Sequence, residues 1–327
     1  MARTLSLDEL LHEAGFKESE VRQVHEGKLV NSIVESTSER ELAAQMAFLI
    51  HAPASVLRQI YTSSPLKKEF DPSVAALGNI SGEGSLQDFA AIKLDPNADS
   101  VAKAYLHASP GSVFNLAKNE IHAFKTLGNK SDKKLVEACF HEILLDHYRA
   151  YRKEGLAGIL PYARSGGKDF RPGDELKHQI EMASILERES PSFHRHLIDY
   201  PNARPEGLDE YFFWVNSVLD EKPTVALVHQ MGLLDGDVYS YMERYFYVSR
   251  SHNSVQGVGG AFPVPDGSTV VYYRSRTSTD QVSGFGGSAK RAIGARMMGS
   301  KIAGSFERAR EIAGRKQELE AATNSGV

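Results

Sequence analysis

The chain has 327 residues, of which 41% are hydrophobic and 24% charged, and its formal net charge is −4 at pH 7. These values are typical of a globular protein with a sizeable core, and they argue against disorder over most of its length. A basic domain is typical of nucleic-acid binding, so the charge predicts no nucleic-acid partner. The single cysteine, Cys139, excludes an intramolecular disulfide.

The hydropathy pattern predicts a chain that does not cross a membrane. No stretch approaches the roughly 20 apolar residues that a membrane span requires. The first nine residues also lack the basic segment and apolar run that mark a signal peptide. We therefore expect a cytoplasmic protein, or a periplasmic one if a leader was removed.

The first 61 residues predict two short helices, a strand, and then a strand followed directly by a helix. Ser6 and Glu9 form a capping box that opens the first helix. Residues 41–51 alternate with period two, which indicates a strand, and Pro53 ends it. Residues 54–61 then follow helical spacing, so a short amphipathic helix comes directly after the proline.

The middle of the chain, residues 62–202, has a mainly helical pattern. Its clearest helix covers residues 134–153, which carry one apolar stripe. Cys139 lies in that stripe, and this favours a small core side chain over a reactive thiol. Shorter helices are predicted at residues 85–93, 97–107, 116–127 and 172–186.

After residue 210 the chain becomes rich in Val, Tyr, Phe and Thr, with turn signals between apolar segments, which predicts consecutive antiparallel hairpins. The predicted strands are 211–218, 224–234, 238–252, 255–263 and 268–277. Glycines within residues 257–260 indicate a bulge or a close contact between strands. A long helix is predicted from residue 288 to about residue 316, with eight Lys or Arg and only two acids.

Histidine pairs suggest metal binding, but their spacing favours structural roles. His141 and Glu142 resemble the start of a zinc-protease helix, yet His147 comes six residues after the first histidine instead of four, so the two do not share a helix face. His194 and His196 have no third ligand nearby, and they are predicted to lie in an exposed loop. We expect no metal and no cofactor.

Polar side chains on the predicted strands are the candidate ligand-binding residues: Arg250, His252, Tyr272, Arg274, Arg276 and His229. Alternate residues of a strand share a face, so the first two fall together and the next three do too. If these faces line a concave surface, the guanidinium groups suit a carboxylate or phosphate head group. The alternative is the solvent-facing polar side of an antiparallel sheet.

The order of these elements resembles the helix-grip fold of the START-like and birch-pollen-allergen-like superfamily. The likeness lies in LAAQMAFLIHAPASVLRQIY, a strand, a corner and a helix, and in VVYYRSRTSTDQVSGFGGSAKRAIGARMMGSKIAGSFE, a last strand, a glycine loop and a gripping helix. Residues 211–306 also resemble a family of bacterial proteins of unassigned function. The resemblance implies an α+β fold in which a curved antiparallel sheet is gripped by a long C-terminal helix.

We expect one elaborated domain over residues 1–327. Residues 1–61 and 203–316 supply the helix-grip-like sheet and helix. Residues 62–202 form a large, mainly helical insertion, far longer than a plain helix-grip domain carries at that place. Residues 317–327, small and polar, are predicted to fray.

The resemblance implies an interior of apolar and aromatic side chains, where a small apolar molecule binds. The first expectation is therefore non-catalytic binding or transport of a lipid-like or other hydrophobic small molecule. The second is an enzyme of the same fold, of cyclase or hydrolase type, in which His229, Arg250, His252 and Arg274 do acid–base or electrostatic work.

The third expectation is an interaction protein at an anionic membrane surface, which uses Lys290, Arg291 and Arg296 of the C-terminal helix. The alternative for this helix is an apolar stripe packed on the sheet, with its charges left in water.

Overall fold

A computed structural model describes residues 6–62, 71–94, 99–128, 132–219, 221–265, 267–284 and 286–324. Its framework is one curved antiparallel sheet of eight strands, accompanied by a long C-terminal helix and several shorter helices. The α+β class expected from the sequence is therefore confirmed.

The strands are β1 (Val30–Ile33), β2 (Glu41–Ile50), β3 (Val74–Asn79), β4 (Asp209–Leu219), β5 (Lys222–Asp235), β6 (Val238–Val248), β7 (Ser254–Pro263) and β8 (Thr269–Ser278). Their order across the sheet is β1-β2-β8-β7-β6-β5-β4-β3. Strands β4 to β8 are therefore successive hairpins, as predicted. By contrast, β2 and β3 are consecutive in the chain but pair with β8 and β4, so the connection between them must cross the sheet.

The helices are α1 (Leu7–Glu13), α2 (Glu18–His25), α3 (Ala54–Thr62), α4 (Asp99–Leu106), α5 (Lys118–Thr126), α6 (Lys133–Glu154), α7 (Pro172–Glu181), α8 (Ser184–Glu189), α9 (Pro191–Asp199) and α10 (Gly287–Asn324). Helix α3 belongs to the crossing connection and contacts β5, β6 and β7. Helix α10 contacts β1, β2 and α3. These two helices cover the same face of the sheet.

Local signals in the sequence explain several of these boundaries. The Ser6 side chain accepts a hydrogen bond from the Glu9 amide, and the Glu9 carboxylate accepts one from the Ser6 amide, which is the predicted capping box. The Asp132 side chain caps α6 by accepting a hydrogen bond from the Lys134 amide. Gly155 ends α6 with φ of 61°, and a Cβ at this position would lie 1.8 Å from the carbonyl oxygen of Tyr200.

The main hydrophobic core lies between the sheet and helices α4 to α9. Alternate residues of a strand point to opposite faces, and on this face Phe212, Trp214, Leu227 and Phe246 are buried against the helices. Helices α1 and α2 continue the layer over Ala47, Val270 and Tyr272 at the β2–β8 side. We call this side of the sheet the packed face, and the side beneath α3 and α10 the cavity face.

Some predicted boundaries were wrong. The strand predicted at 238–252 ends at Val248, because Arg250 leaves the ladder to bridge Phe114 and Ser251 has φ of 74°. The helix predicted at 172–186 is two helices, α7 and α8, and residues 85–93 contain only a short 3₁₀ turn at Leu86–Phe89. Strand β3 and helix α9 were not predicted.

The C-terminal helix continues beyond its predicted end at residue 316 and reaches Asn324. The fraying predicted for residues 317–327 stays a prediction, and the last three of these residues lie outside the described part of the chain. The organisation as one domain stays a prediction.

Candidate functional site

A cavity of about 690 Å³ lies between the cavity face of the sheet and helices α3 and α10. Its floor consists of alternate residues of β4, β5, β6 and β8. Its roof consists of Leu57 and Tyr61 from α3 and of Met298, Ile302 and Phe306 from α10. The volume falls within the roughly 300–1,000 Å³ that is typical of small-molecule sites.

Strand β6 shows how the sequence divides its side chains between the two faces. Tyr239, Tyr241, Glu243 and Tyr245 occupy every second position and line the cavity. Arg244 lies between two of them in sequence, points to the packed face and is fully buried. A single strand therefore supplies both the floor of the cavity and part of the core.

Aromatic rings connect the floor to the roof. The ring centroids of Tyr61 and Tyr241 are 4.6 Å apart, and those of Tyr241 and Tyr273 are 5.8 Å apart. Tyr273 in turn lies 5.2 Å from Phe306 of α10. The cavity wall is thus a continuous aromatic cluster, and such clusters pack well against apolar ligands.

Glycines of β7 make room for these rings. A Cβ at Gly257 would lie 1.9 Å from the Tyr273 hydroxyl, and one at Gly259 would lie 2.2 Å from the Tyr272 carbonyl oxygen. The Tyr241 hydroxyl is 3.0 Å from the same Gly259 position. This confirms the predicted close contact between strands, and it lets the phenol rings lie directly over the backbone of β7.

Polar groups in the lining are few. At one end, Lys301 of α10 pairs with Asp71 at 3.2 Å and donates a hydrogen bond to Ser73. His252 lies near this end, and burial together with the Lys301 charge lowers its pKa to about 4, so its imidazole is neutral at pH 7. Glu243 lies in the middle of the floor and is hydrogen-bonded to the Tyr245 hydroxyl.

Several of these lining groups have no hydrogen-bond partner among the described residues. They are the hydroxyl groups of Tyr61 and Tyr239 and Nε2 of His252, all of which are buried. Buried polar atoms are nearly always hydrogen-bonded in folded proteins. Unsatisfied atoms that border a cavity therefore indicate a place where a ligand or ordered water belongs.

Among the residues predicted to bind a ligand, only His252 lines the cavity. Tyr272, Arg274 and Arg276 do share one side of β8, as expected, but it is the packed face. Arg276 forms a buried ion pair with Glu41 at 2.6 Å. Arg274 donates hydrogen bonds to Gln45 and to the Ala14 carbonyl. The expectation that these three line the concavity is wrong, because the helical layer covers their side.

Arg250 and His229 also lie outside the cavity lining. The Arg250 guanidinium lies 5.5 Å from the centre of the Phe114 ring, beyond the end of β6, so Arg250 does not share a strand face with His252 as predicted. His229 is fully buried on the packed face. The predicted ligand-binding residues therefore do not form one cluster in the fold.

His229 belongs to a buried hydrogen-bond network. Its Nδ1 lies 2.8 Å from the Tyr151 hydroxyl, and its Nε2 lies 3.0 Å from Glu210. Arg244 donates to the Tyr151 hydroxyl at 2.9 Å and to the Leu197 carbonyl at 3.0 Å. These distances fit a neutral imidazole that accepts at Nδ1 and donates at Nε2.

The charges of this network agree with that assignment. Burial is the main cause that lowers the pKa of His229 to about 4. Burial alone would raise the pKa of Glu210, but hydrogen bonds from His229 and Arg204 bring it down to about 2. Because its polar groups satisfy one another, the network is best explained as a structural element of the packed face.

The basic residues predicted for membrane contact lie along α10. Lys290 and Arg296 are exposed, whereas Arg291 is half-buried and donates to the Glu39 carbonyl at 3.1 Å. Ile293 and Met297 are exposed by 60% and 69%. We call Lys290, Ile293, Arg296 and Met297 the outer patch of α10, because the cavity is lined from the opposite side of this helix.

The remaining histidine pairs have structural partners. His194 and His196 lie in α9, both buried, and bond the carbonyls of Ile180 and Asn202, so the predicted exposed loop is wrong. His147 pairs with Glu120 at 2.7 Å. Within the described ranges, no group of three or more His, Cys, Asp or Glu is placed to hold a metal ion.

The tyrosines and Glu243 of the cavity were missed by sequence reasoning. The signal was present in β6, whose residues 239–245 read YSYMERY and place Tyr, Tyr, Glu and Tyr at alternate positions. Period-two alternation identified the strand but not which of its two faces would be left uncovered.

In the described part of the chain, no helix is long and apolar enough to cross a membrane.

Comparison with known proteins returns nothing that could name this site: no protein-family model, no curated protein and no solved structure matches the chain.

Proposed function

We propose that this protein binds or transports a lipid-like or other hydrophobic small molecule in the cavity beneath α3 and α10. The observation that carries the proposal is the cavity itself, about 690 Å³ in volume and walled by aromatic and aliphatic side chains from both the sheet and the helices. Transfer of apolar area from water drives such binding.

The energetics favour a ligand with a sizeable apolar part. Each buried methylene contributes about 0.8 kcal/mol, so a ten-carbon chain contributes about 8 kcal/mol before costs. Lost translational freedom and side-chain ordering offset part of this gain. Rings already packed against one another, such as Tyr61 and Tyr241, lose little freedom when a ligand arrives.

The proposal includes a helix-grip architecture, in which α10 holds the curved sheet from one side. Two close approaches support it. A Cβ at Gly294 would lie 3.0 Å from the Leu42 side chain, and one at Gly299 would lie 2.4 Å from the Asn31 side chain. Small residues thus let α10 approach β1 and β2 closely, while Phe306 contacts Phe48 at 6.0 Å between ring centroids.

A cavity-filling variant tests the proposal. Ser275 is buried and lines the cavity, so Ser275→Phe places a ring where the ligand would lie. Ser300→Phe is the matched control, since Ser300 is exposed on α10. We expect the delipidated parent and the control to bind a fluorescent fatty-chain probe, and Ser275→Phe to weaken binding at least tenfold. If the parent takes up no apolar probe, the proposal fails.

The enzyme alternative gains no support from the placement of its residues. Of the four side chains expected to do acid–base work, only His252 lines the cavity. Arg274 and His229 are engaged on the packed face, and Arg250 lies over Phe114.

A second candidate function is docking on an anionic membrane, and the outer patch of α10 favours it. Ile293 and Met297 are exposed beside Lys290 and Arg296, which is the pattern of a helix that lies on a charged lipid surface. We expect the protein to sediment with vesicles that contain phosphatidylserine at low salt, and less so at high salt. Unchanged sedimentation after charge reversal of Lys290, Arg291 and Arg296 to Glu would exclude this function.

A further inference from the structure

The cavity has two chemically different ends. One end lies where β4, β6 and β8 finish and β5 begins, and hydroxyl and imidazole side chains line it; we call it the polar end. Its residues are Ser217, Thr224, Ser251, His252, Thr277 and Thr279. The opposite end lies beneath α3, and we call it the aromatic end. The polarity of the lining therefore changes along the strands, which suits a ligand with one polar and one apolar part.

The aromatic end consists chiefly of rings and aliphatic groups. Leu57 and Tyr61 of α3 cover it, and Tyr239 and Tyr241 form its floor. The ring centroids of Tyr61 lie 6.2 Å from those of Tyr239 and 4.6 Å from those of Tyr241. The hydroxyls of Tyr61 and Tyr239 lack a partner among the described residues, but each is a single polar atom on a large apolar ring. This end therefore suits an apolar chain better than a head group.

Contacts between strand ends hold the polar end together. Ser217 of β4 is directly across from Thr224 of β5. The Thr224 hydroxyl lies 3.3 Å from the Ser251 hydroxyl, just after β6. The Thr279 hydroxyl, just after β8, donates to the Ser251 carbonyl at 3.1 Å. Four strands therefore bring their ends to one cluster of hydroxyl groups.

The hydroxyls of the polar end have acceptor capacity left. The protons of Thr277 and Thr279 are engaged, because the first donates to the Met298 sulfur at 3.3 Å and the second to the Ser251 carbonyl. Thr224 and Ser251 share one hydrogen bond. A hydroxyl oxygen carries two lone pairs besides its single proton. The polar end therefore offers a ligand chiefly lone pairs, which suit a ligand that supplies O–H donors.

His252 adds a nitrogen that lacks a partner. Its Nε2 is buried, with no hydrogen-bond partner among the described residues. Burial and the Lys301 charge lower its pKa to about 4, so the imidazole is neutral at pH 7. A neutral imidazole has one donor and one acceptor nitrogen. A ligand hydroxyl satisfies Nε2 in either tautomer, because it both donates and accepts.

Charged head groups fit this end less well. Among the described lining residues there, the formal charges are those of Lys301 and Asp71, which pair with each other at 3.2 Å. A carboxylate head group only accepts hydrogen bonds, whereas this end chiefly offers acceptors. A cationic head group would meet the Lys301 ammonium that already disfavours a charged His252. Burial of an unpaired charge also costs far more than burial of a hydroxyl.

We propose that the natural ligand is an uncharged amphiphile with a polyol head group, as in an acylglycerol or an alkyl glycoside, whose hydroxyls bind His252 and Thr224 at the polar end. This inference rests on the proposed function and specifies its ligand class. The apolar chain extends towards Leu57 at the aromatic end. On its way it passes the rings of Tyr241 and Tyr273, whose centroids lie 5.8 Å apart.

Five probes with ten-carbon chains test the inference by calorimetry on the delipidated full chain at pH 7: monodecanoylglycerol, decyl glucoside, methyl decanoate, decanoate and decyltrimethylammonium. We expect at least one of the first two to bind tenfold or more tightly than each of the last three. The tighter of the two polyols identifies glycerol or sugar as the source of the hydroxyls. A smaller preference overturns the polyol head group and leaves the proposed function intact. Absence of binding by all five overturns both.

A variant of His252 tests where the head group lies. His252→Phe keeps a ring but removes both nitrogens, so we expect the preference for the polyol over methyl decanoate to fall below threefold while methyl decanoate binding changes little. His122→Phe is the matched control, since His122 is exposed on α5, and it should retain the full preference. A folded His252→Phe protein with the full preference overturns the inference.

A second variant keeps the test decisive if His252→Phe does not fold, which thermal unfolding reports. Thr224→Val retains the shape of a buried side chain and removes its hydroxyl. We expect the polyol preference of Thr224→Val to fall at least threefold, because a hydroxyl oxygen of the polar end is lost. An unchanged preference in the folded protein overturns the proposed position of the head group.

Discussion

The two faces of the sheet differ in how their largest polar side chains are partnered. On the packed face, Arg244, Tyr151 and His229 bond one another, and the guanidinium of Arg276 meets a carboxylate. On the cavity face, the hydroxyls of Tyr61 and Tyr239 are buried without a partner among the described residues. The difference teaches that a charged cluster read from sequence can be internal structure. An unsatisfied hydroxyl does not by itself mark the cavity, because the Tyr247 hydroxyl in the packed core also lacks a partner among the described residues.

We expect the largest loss of unfolding free energy when the buried ion pair of the packed face is broken. Glu41→Ala leaves the Arg276 guanidinium buried without its carboxylate, and loss of one partner of a buried pair costs about 3–5 kcal/mol. We expect the free energy of unfolding, measured by urea denaturation, to fall by about this amount. Glu307→Ala, at an exposed site, serves as control. A loss below about 1 kcal/mol would mean that water reaches the pair and that this face is not closed.

We expect the next largest loss of unfolding free energy when the Tyr151 hydroxyl is removed. It accepts a hydrogen bond from Arg244 and donates one to His229, so Tyr151→Phe leaves two buried groups unsatisfied. Such a loss costs about 1–3 kcal/mol. Urea denaturation of the variant should show this decrease. A neutral effect would contradict the view that this network stabilises the packed face.

The imidazole of His252 should make stability depend on pH. Burial and the Lys301 charge lower its pKa in the folded protein to about 4, below its unfolded value of about 6.5. The unfolded chain therefore binds more protons between these values, and stability falls as the pH drops through this window. We expect His252 to contribute about 1–2 kcal/mol of the loss between pH 7 and pH 5.

The measurement compares urea denaturation of the parent and His252→Asn at these two pH values. His229 carries a similarly lowered pKa and acts in both proteins alike, so the difference between parent and variant isolates His252. Identical pH dependence in both proteins would show that the imidazole is solvated.

The smallest effect is expected at Tyr239, and it sharpens the contrast with Tyr151. Both are fully buried tyrosines, but the Tyr239 hydroxyl has no described partner, so Tyr239→Phe removes no hydrogen bond. We expect a change in unfolding free energy within about 0.5 kcal/mol in the ligand-free protein. A loss as large as that of Tyr151→Phe would indicate a tightly held water at this hydroxyl.

Much of the framework could be predicted from local sequence. The alternation in residues 41–51 and Pro53 predicted β2 and the start of α3 closely. The hairpins after residue 210 followed from β-branched and aromatic residues between turns. Strand β3 was missed because its sequence, VAALGN, contains only one β-branched residue.

The position of the site could not be predicted in the same way. A period of two places Tyr272, Arg274 and Arg276 on one side of β8 but does not say which side faces the helical layer. That choice depends on contacts distant in sequence, such as Gln45 with Arg274 and Glu41 with Arg276. Sequence reasoning placed the arginines of β8 in the cavity, whereas in the fold Tyr273 of the same strand lines the cavity.

The glycines of β7 have a consequence for how the protein can change. The phenol rings of Tyr273 and Tyr241 lie over Gly257 and Gly259, so the depth of the cavity depends on the absence of a side chain at these two positions. A methyl group at Gly257 would meet the Tyr273 phenol and displace that ring, which reduces the space beneath α10, whereas one at Gly259 would clash with the Tyr272 carbonyl oxygen of β8. Alanine at residue 257 is therefore compatible with the same strands and a shallower cavity, whereas alanine at residue 259 would disturb the pairing of β7 with β8.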